Sequence, residues 1–353
     1  MNTTPIISSM TAVVLVITAG LSIAPAAGDG DPPKPTQGGI SRQRFKSISN
    51  AEAWSYLPIA EHGSGQTLPN WALVFARSLP RTTASMLEND RLYRMGSSIG
   101  PVLSGKMRLV AAIANRCEYA KAYAEADLRR AGVDDAEIKA LEGLPPGASA
   151  PEESAALEFA RKMTLDTDTV ADADVVYLIS AYGDKKFLAM VLLVAHANFQ
   201  DRLLLATDVP IEPGGPPPPL DVRFVKGKKP FIVARRIPPA NPLLPPIPER
   251  IDDPEWNSVK IDDLHRSLEK QKSKPGRVRV PSWDEVLKTV PPGYPIPKKP
   301  IRTNLGLVRM GYQPELAFAW SSCMEAFGDE AKLDRVFEGS LFWIMTRTIH
   351  CFY

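Results

Sequence analysis

"VAAIANRCEYAKAYAEADLRRAGVDDAEIKAL", residues 110–141, is the stretch whose reading decides the fold. With Met107 just upstream, Val110, Ala111 and Ala114 fall on one face of a 3.6-residue repeat, and Cys117 continues that stripe. The spacing therefore predicts a helix over about 106–131 with Cys117 among its apolar residues. Downstream, Asp134 precedes Glu137 by three positions, the capping-box arrangement that opens a second, short helix.

Working outward, the same periodicity extends over about 67–206. "WALVFARSL" opens at Pro69 or Asn70 and is closed by Pro80. "PEESAALEFARKM" has Pro151 in its first turn with acids beside it, and Arg161 and Lys162 in its last. Its Ala156, Phe159, Ala160 and Met163 form one apolar face. Residues 187–195 are apolar nearly all round, as expected of a central buried helix, with His196 read as a satisfied core histidine. No stretch alternates as a strand would, so the expected class is all-α.

The flanks differ. Residues 1–27 read as a signal peptide or N-terminal anchor: an apolar run too short for a comfortable span, then Ala24-Pro25-Ala26, although the first basic residue is Lys34. An exported, periplasmic or secreted, location is expected, and no stable membrane span. Residues 28–66 form a polar arm. Residues 207–300 hold most of the chain's 34 prolines and predict an extended linker, because proline removes a backbone donor and blocks helices. A net charge of +2 from 42 basic and 40 acidic residues excludes a nucleic-acid footprint. Three cysteines make no disulfide framework, and four scattered histidines lack zinc spacing, so no metal or cofactor is expected.

A shift of 234 residues carries Leu73 and Val74 onto Leu307 and Val308, Pro80 onto Pro314, Gly105 onto Gly339, Cys117 onto Cys351 and Tyr119 onto Tyr353. Residues 301–353 thus read as the start of a second copy of the helical domain. The first copy runs on past its cysteine to about 206, whereas the second stops two residues after Cys351, at Tyr353. The expectation is a chain cut inside its second copy, continuing with a cysteine at position 354 and a histidine at position 358. Residues 303–353 would then be poorly ordered, or rest on the first domain.

The 110–141 stretch resembles the carboxymuconolactone decarboxylase and AhpD-like family, whose members carry an apolar helix, a Cys-x-x-Cys-x-x-x-His stretch, an "RxAG" and a short capped helix. Residues 156–203 resemble the family's following helix pair, with Asn198 to Arg202 matching its "NxxxR" ending. The resemblance implies a helical bundle that commonly oligomerises. It also implies thiol redox activity, peroxidase or disulfide reductase, on a small peroxide or a thiol/disulfide partner protein. Lactone decarboxylation and a non-catalytic helical scaffold are the alternatives.

The matching site residues are Cys117 and Cys351. In the first copy the second thiol is replaced by Ala120, the base by Ala124 and the relay glutamate by Gly105, so Cys117 reads as a buried, inert thiol. Cys351 is the better candidate. Glu338 precedes it by thirteen positions rather than twelve, and His350 adjoins it on a different helical face. Cys323, in "FAWSSCMEAF", reads as core.

Overall fold

The computed structural model describes residues 45–95, 98–143, 150–225, 260–273, 275–294, 296 and 299–348. The proposed signal segment, Cys351 and His350 lie outside the described residues. What is described is mostly helical: thirteen α-helices and one two-stranded sheet, an all-α architecture. No helix among these residues is long and apolar enough to cross a membrane.

Residues 50–207 contain α1 (Asn50–Tyr56), α2 (Asn70–Phe75), α3 (Pro80–Met95), α4 (Pro101–Asn115), α5 (Glu118–Arg130), α6 (Asp135–Ala140), α7 (Pro151–Leu165) and α8 (Asp172–Thr207). Their starts follow from local chemistry. Prolines occupy the first turn of α4 and α7, where a missing N–H costs nothing. The Asp134 carboxylate accepts from the Glu137 N–H at 2.8 Å, capping α6. Pro80, expected to close the preceding helix, instead opens α3. In α8, Gly183 adopts φ 77°, a left-handed kink between two helical runs.

The predicted continuous helix over 106–131 is broken. Arg116 takes a left-handed conformation (φ 56°, ψ 38°), and the Cys117 N–H turns back to the Ala112 carbonyl at 2.9 Å. This closes α4 with a bifurcated, Schellman-like turn and leaves Cys117 as the residue preceding α5. Two cores result. α4 lies against α5, α7 and α8 around Met107, Leu109, Leu128, Leu157 and Val194. The second core gathers Trp71, Leu87, Tyr119, Tyr123, Leu204 and Phe224 with both Cys117 and Cys323. Cys117 is therefore not a member of the Met107–Val110 stripe; the turn at Arg116 carries it into the neighbouring core.

Part of the expected linker proves to be structural. In 208–225, Val209, Leu220, Val222 and Phe224 are buried. β2 (Arg223–Phe224) pairs antiparallel with β1 (Ala60–His62), and the Phe224 N–H donates to Glu88 at 2.9 Å. Even the proline run contributes: the carbonyls of Pro216 and Pro217 accept from Arg130 and Arg94. Proline keeps its acceptor while losing its donor, so such a run can satisfy arginine side chains without demanding partners of its own. Farther along stand α9 (Ile261–Ser273) and α10 (Trp283–Thr289), the latter opened by a Ser282/Glu285 capping box.

Three further helices follow, α11 (Asn304–Tyr312), α12 (Pro314–Ala331) and α13 (Arg335–Thr348). Each starts 234 residues after its counterpart, at Asn70, Pro80 and Pro101. α12 packs along α3, its own counterpart, more extensively than along any other helix. The pair is antiparallel: Arg81 near the start of α3 meets Asp329 near the end of α12, while Asn89 donates to the Ala319 carbonyl at mid-helix. α13 carries an open apolar face, with Phe337, Leu341, Trp343 and Ile344 all more than two-fifths exposed. The last three stand at the positions of Met107, Leu109 and Val110, which α4 buries almost completely.

Candidate functional site

Cys117 sits where the chain turns from α4 into α5, with its side chain 2% exposed. Burial, with the nearby Asp201 carboxylate next in weight, pushes the thiol up to about 12, although backbone N–H groups of Ala120 and Tyr119 partly favour the thiolate. A thiolate is the nucleophile, so at neutral pH this group is protonated and unreactive. Ala120 and Ala124 occupy α5, and Ala124 is fully buried. The relay position is sealed as well: a Cβ on Gly105 would lie 2.8 Å from a methyl carbon of Leu128, so the α4–α5 crossing has no room for a glutamate. Cys323 is likewise buried and pushed up to about 12, mainly by burial. Both thiols are free.

Around Cys117 the structure assembles a buried polar network that helix-by-helix reading takes for solvated faces. Arg94, on α3, donates to both carboxylate oxygens of Asp127 at 2.8 Å and to Asp90 at 3.1 Å. Arg108 adds a contact to Asp127 at 2.9 Å. Burial alone would raise the Asp127 pKa, but these guanidinium groups outweigh it and hold it near 2. On the other side, Asn115 donates to Asn198 at 2.9 Å and to Asp201 at 2.8 Å, and Asn198 donates onward to Thr164 and the Val194 carbonyl. Burial lifts Asp201 to about 7, against the opposing pull of Asn115 and Arg108.

A cavity of about 10 Å³ opens between Arg108, Tyr119, Ala120, Tyr123 and Asp201. That is the space of a single water, so it cannot admit a lactone or an organic hydroperoxide. The stacked Tyr119 and Tyr123 rings, 4.8 Å apart, both present hydroxyls to Glu212 from the proline-rich segment. Of these residues the sequence signalled Asn198, through the "NxxxR" ending. Asp201, Asp127 and Arg94 have helical spacings common to surface residues, and only the folded chain shows them buried.

His196 is in the core but is not satisfied. Its ring stacks on Tyr93 at 4.1 Å, and among the described residues neither nitrogen has a hydrogen-bond partner. Glu338 is exposed on α13. The next residue, Gly339, differs from Gly105 in that a Cβ added there would meet nothing within 4 Å. No protein-family model matches the chain, and no curated protein matches it.

Proposed function

We propose that the chain is a tandem carboxymuconolactone decarboxylase/AhpD-like protein whose thiol redox chemistry belongs to Cys351, the first copy serving as its helical partner. The observation that carries this reading is a contrast between helices: Cys117 is sealed in a core and held protonated, while residues 336–344 of α13, the helix that precedes Cys351 in the sequence, are mostly exposed. The shared start positions of α2/α11, α3/α12 and α4/α13 support the kinship of the two copies. In the reaction, the Cys351 thiolate attacks the distal oxygen of a hydroperoxide, breaking the O–O bond, and leaves a sulfenic acid and, after protonation, an alcohol. An external low-molecular-weight or protein thiol condenses with the sulfenic acid and expels water. A second such thiol then restores Cys351 and departs as the oxidised disulfide, so two thiols are consumed for each peroxide reduced.

The test is hydroperoxide consumption by the full chain with excess dithiothreitol. Cys351→Ser should reduce turnover at least a hundredfold, and Cys117→Ser should leave it within about twofold. Equal loss in both variants, or none in either, sinks the assignment. A chain without turnover in any form supports the scaffold reading, which the burial of Cys117 also favours.

A further inference from the structure

Two apolar ridges run uncovered along α13. Phe337, Leu341 and Ile344 follow one another at i, i+4 and i+7, and Val336, Ser340 and Trp343 run beside them at the same spacing. All six are exposed, Val336 by 77%. Phe342 and Met345, on the opposite side of the helix, are half-buried. Among the described residues no other helix packs extensively against α13, whereas α4, with the corresponding residues buried or half-buried, lies against α5, α7 and α8. The face is nonetheless preformed. The Asp334 carboxylate accepts from the Val336 and Phe337 N–H groups, both at 3.0 Å, and fixes the first turn. At roughly half exposure, and about 150–250 Å² for each large side chain, the five apolar residues leave on the order of 500 Å² open to water. A contiguous apolar patch of more than a few hundred Å² marks an interaction site.

We infer that α13 is the interface of a homodimer, a second copy of this chain lying antiparallel on the first, α13 against α13, and crossing at Ser340. Area favours this occupant: two such faces together hide on the order of 1,000 Å², the lower bound for a specific interface, which fits a dimer in reversible, micromolar equilibrium. Shape favours it too. A twofold axis at Ser340 sets Phe337 of one copy opposite Trp343 of the other, and Val336 opposite Ile344, so each large side chain meets a large one. The small serine stands at the crossing, where two helix axes must approach most closely. Charge weighs against lipid as the occupant. Between Arg335 and Arg347 the one charged residue is acidic, Glu338, whereas a helix lying on a membrane surface carries lysine and arginine along its polar face. The inference is independent of any redox role for Cys351.

The experiment is sedimentation equilibrium of the full chain from about 1 to 100 μM, a range that brackets a micromolar Kd. The wild type should pass from one to two chain masses across it. Leu341→Glu alters a side chain already exposed in the monomer, so it should keep the helical circular dichroism and raise the dimer Kd at least tenfold. Cross-linking locates the crossing. In a Cys351→Ser background, with Cys117 and Cys323 buried, Ser340→Cys should form a disulfide-linked dimer on mild oxidation. Glu338→Cys, on the far side of the helix, should not. This pair carries the test alone if Leu341→Glu does not fold. A monomer at every concentration overturns the pairing, whether the face then proves covered within the chain or takes up anionic phospholipid vesicles. Equal association of wild type and Leu341→Glu, or equal cross-linking at 338 and 340, overturns it as well.

Discussion

The glycines at 105 and 339 occupy equivalent positions yet face opposite constraints. At Gly105 a methyl group would meet Leu128 at 2.8 Å; at Gly339 it would meet nothing within 4 Å. Gly105→Ala should therefore lose about 1–3 kcal/mol to overpacking. Gly339→Ala should be neutral or gain up to about 1 kcal/mol from helix propensity. Urea denaturation of the two variants measures the difference, and equal effects would contradict the packing described. Asp201 gives a pH prediction. Its folded-state pKa of about 7 lies above the unfolded value near 3.8, so the folded protein holds this proton more tightly. The contribution is complete below pH 4 and is lost as pH rises to about 7, a fall of order 2–4 kcal/mol. Asp201→Asn keeps an oxygen for Asn115 but has no proton to lose. Its stability should therefore decline less from pH 4 to pH 7 than that of the wild type; parallel curves from calorimetry would refute the buried-acid picture.

Among the elements, helix identities were legible and one boundary was not. First-turn prolines, the Asp134 cap and the apolar face of α7 all reflect local chemistry, which a linear sequence displays. The break at Arg116 escaped because a left-handed turn advertises itself through glycine or asparagine, and here an arginine adopts it. That single displacement moved Cys117 from one core to another. The proline-rich 208–225 escaped for a related reason. Composition reports what a segment cannot donate, but not which arginines will use its carbonyls. The start of α3 shows a cap that no local reading can supply. Glu330, from the end of α12, accepts from the Arg81 and Thr82 N–H groups at 2.8 and 2.9 Å and from the Thr82 hydroxyl at 2.7 Å. A carboxylate at a helix N-terminus is favoured by both hydrogen bonding and the dipole. Glu330→Ala should cost about 1–2 kcal/mol. A double-mutant cycle with Thr82→Ala should show coupling of at least about 0.5 kcal/mol; additive effects would place the cap's energy elsewhere.

At the scale of the whole molecule, the 234-residue shift was the most informative feature of the sequence, since it carries the starts of α2, α3 and α4 onto those of α11, α12 and α13. What it could not convey was that α3 lies antiparallel on α12. Nor could it show Arg309 of α11 and Trp320 of α12 lining a cavity with His196 of α8, because those residues come together only in the folded chain. The α3–α12 embrace has a kinetic and evolutionary corollary. Two separate subunits find each other at a rate set by their abundance, and dilution parts them. Two halves on one polypeptide meet at a fixed effective concentration, in the millimolar range for flexible tethers, however scarce the protein. Such a pair is also released from having to be self-complementary. Glu330 on α12 can cap α3 with no requirement that α3 return the contact.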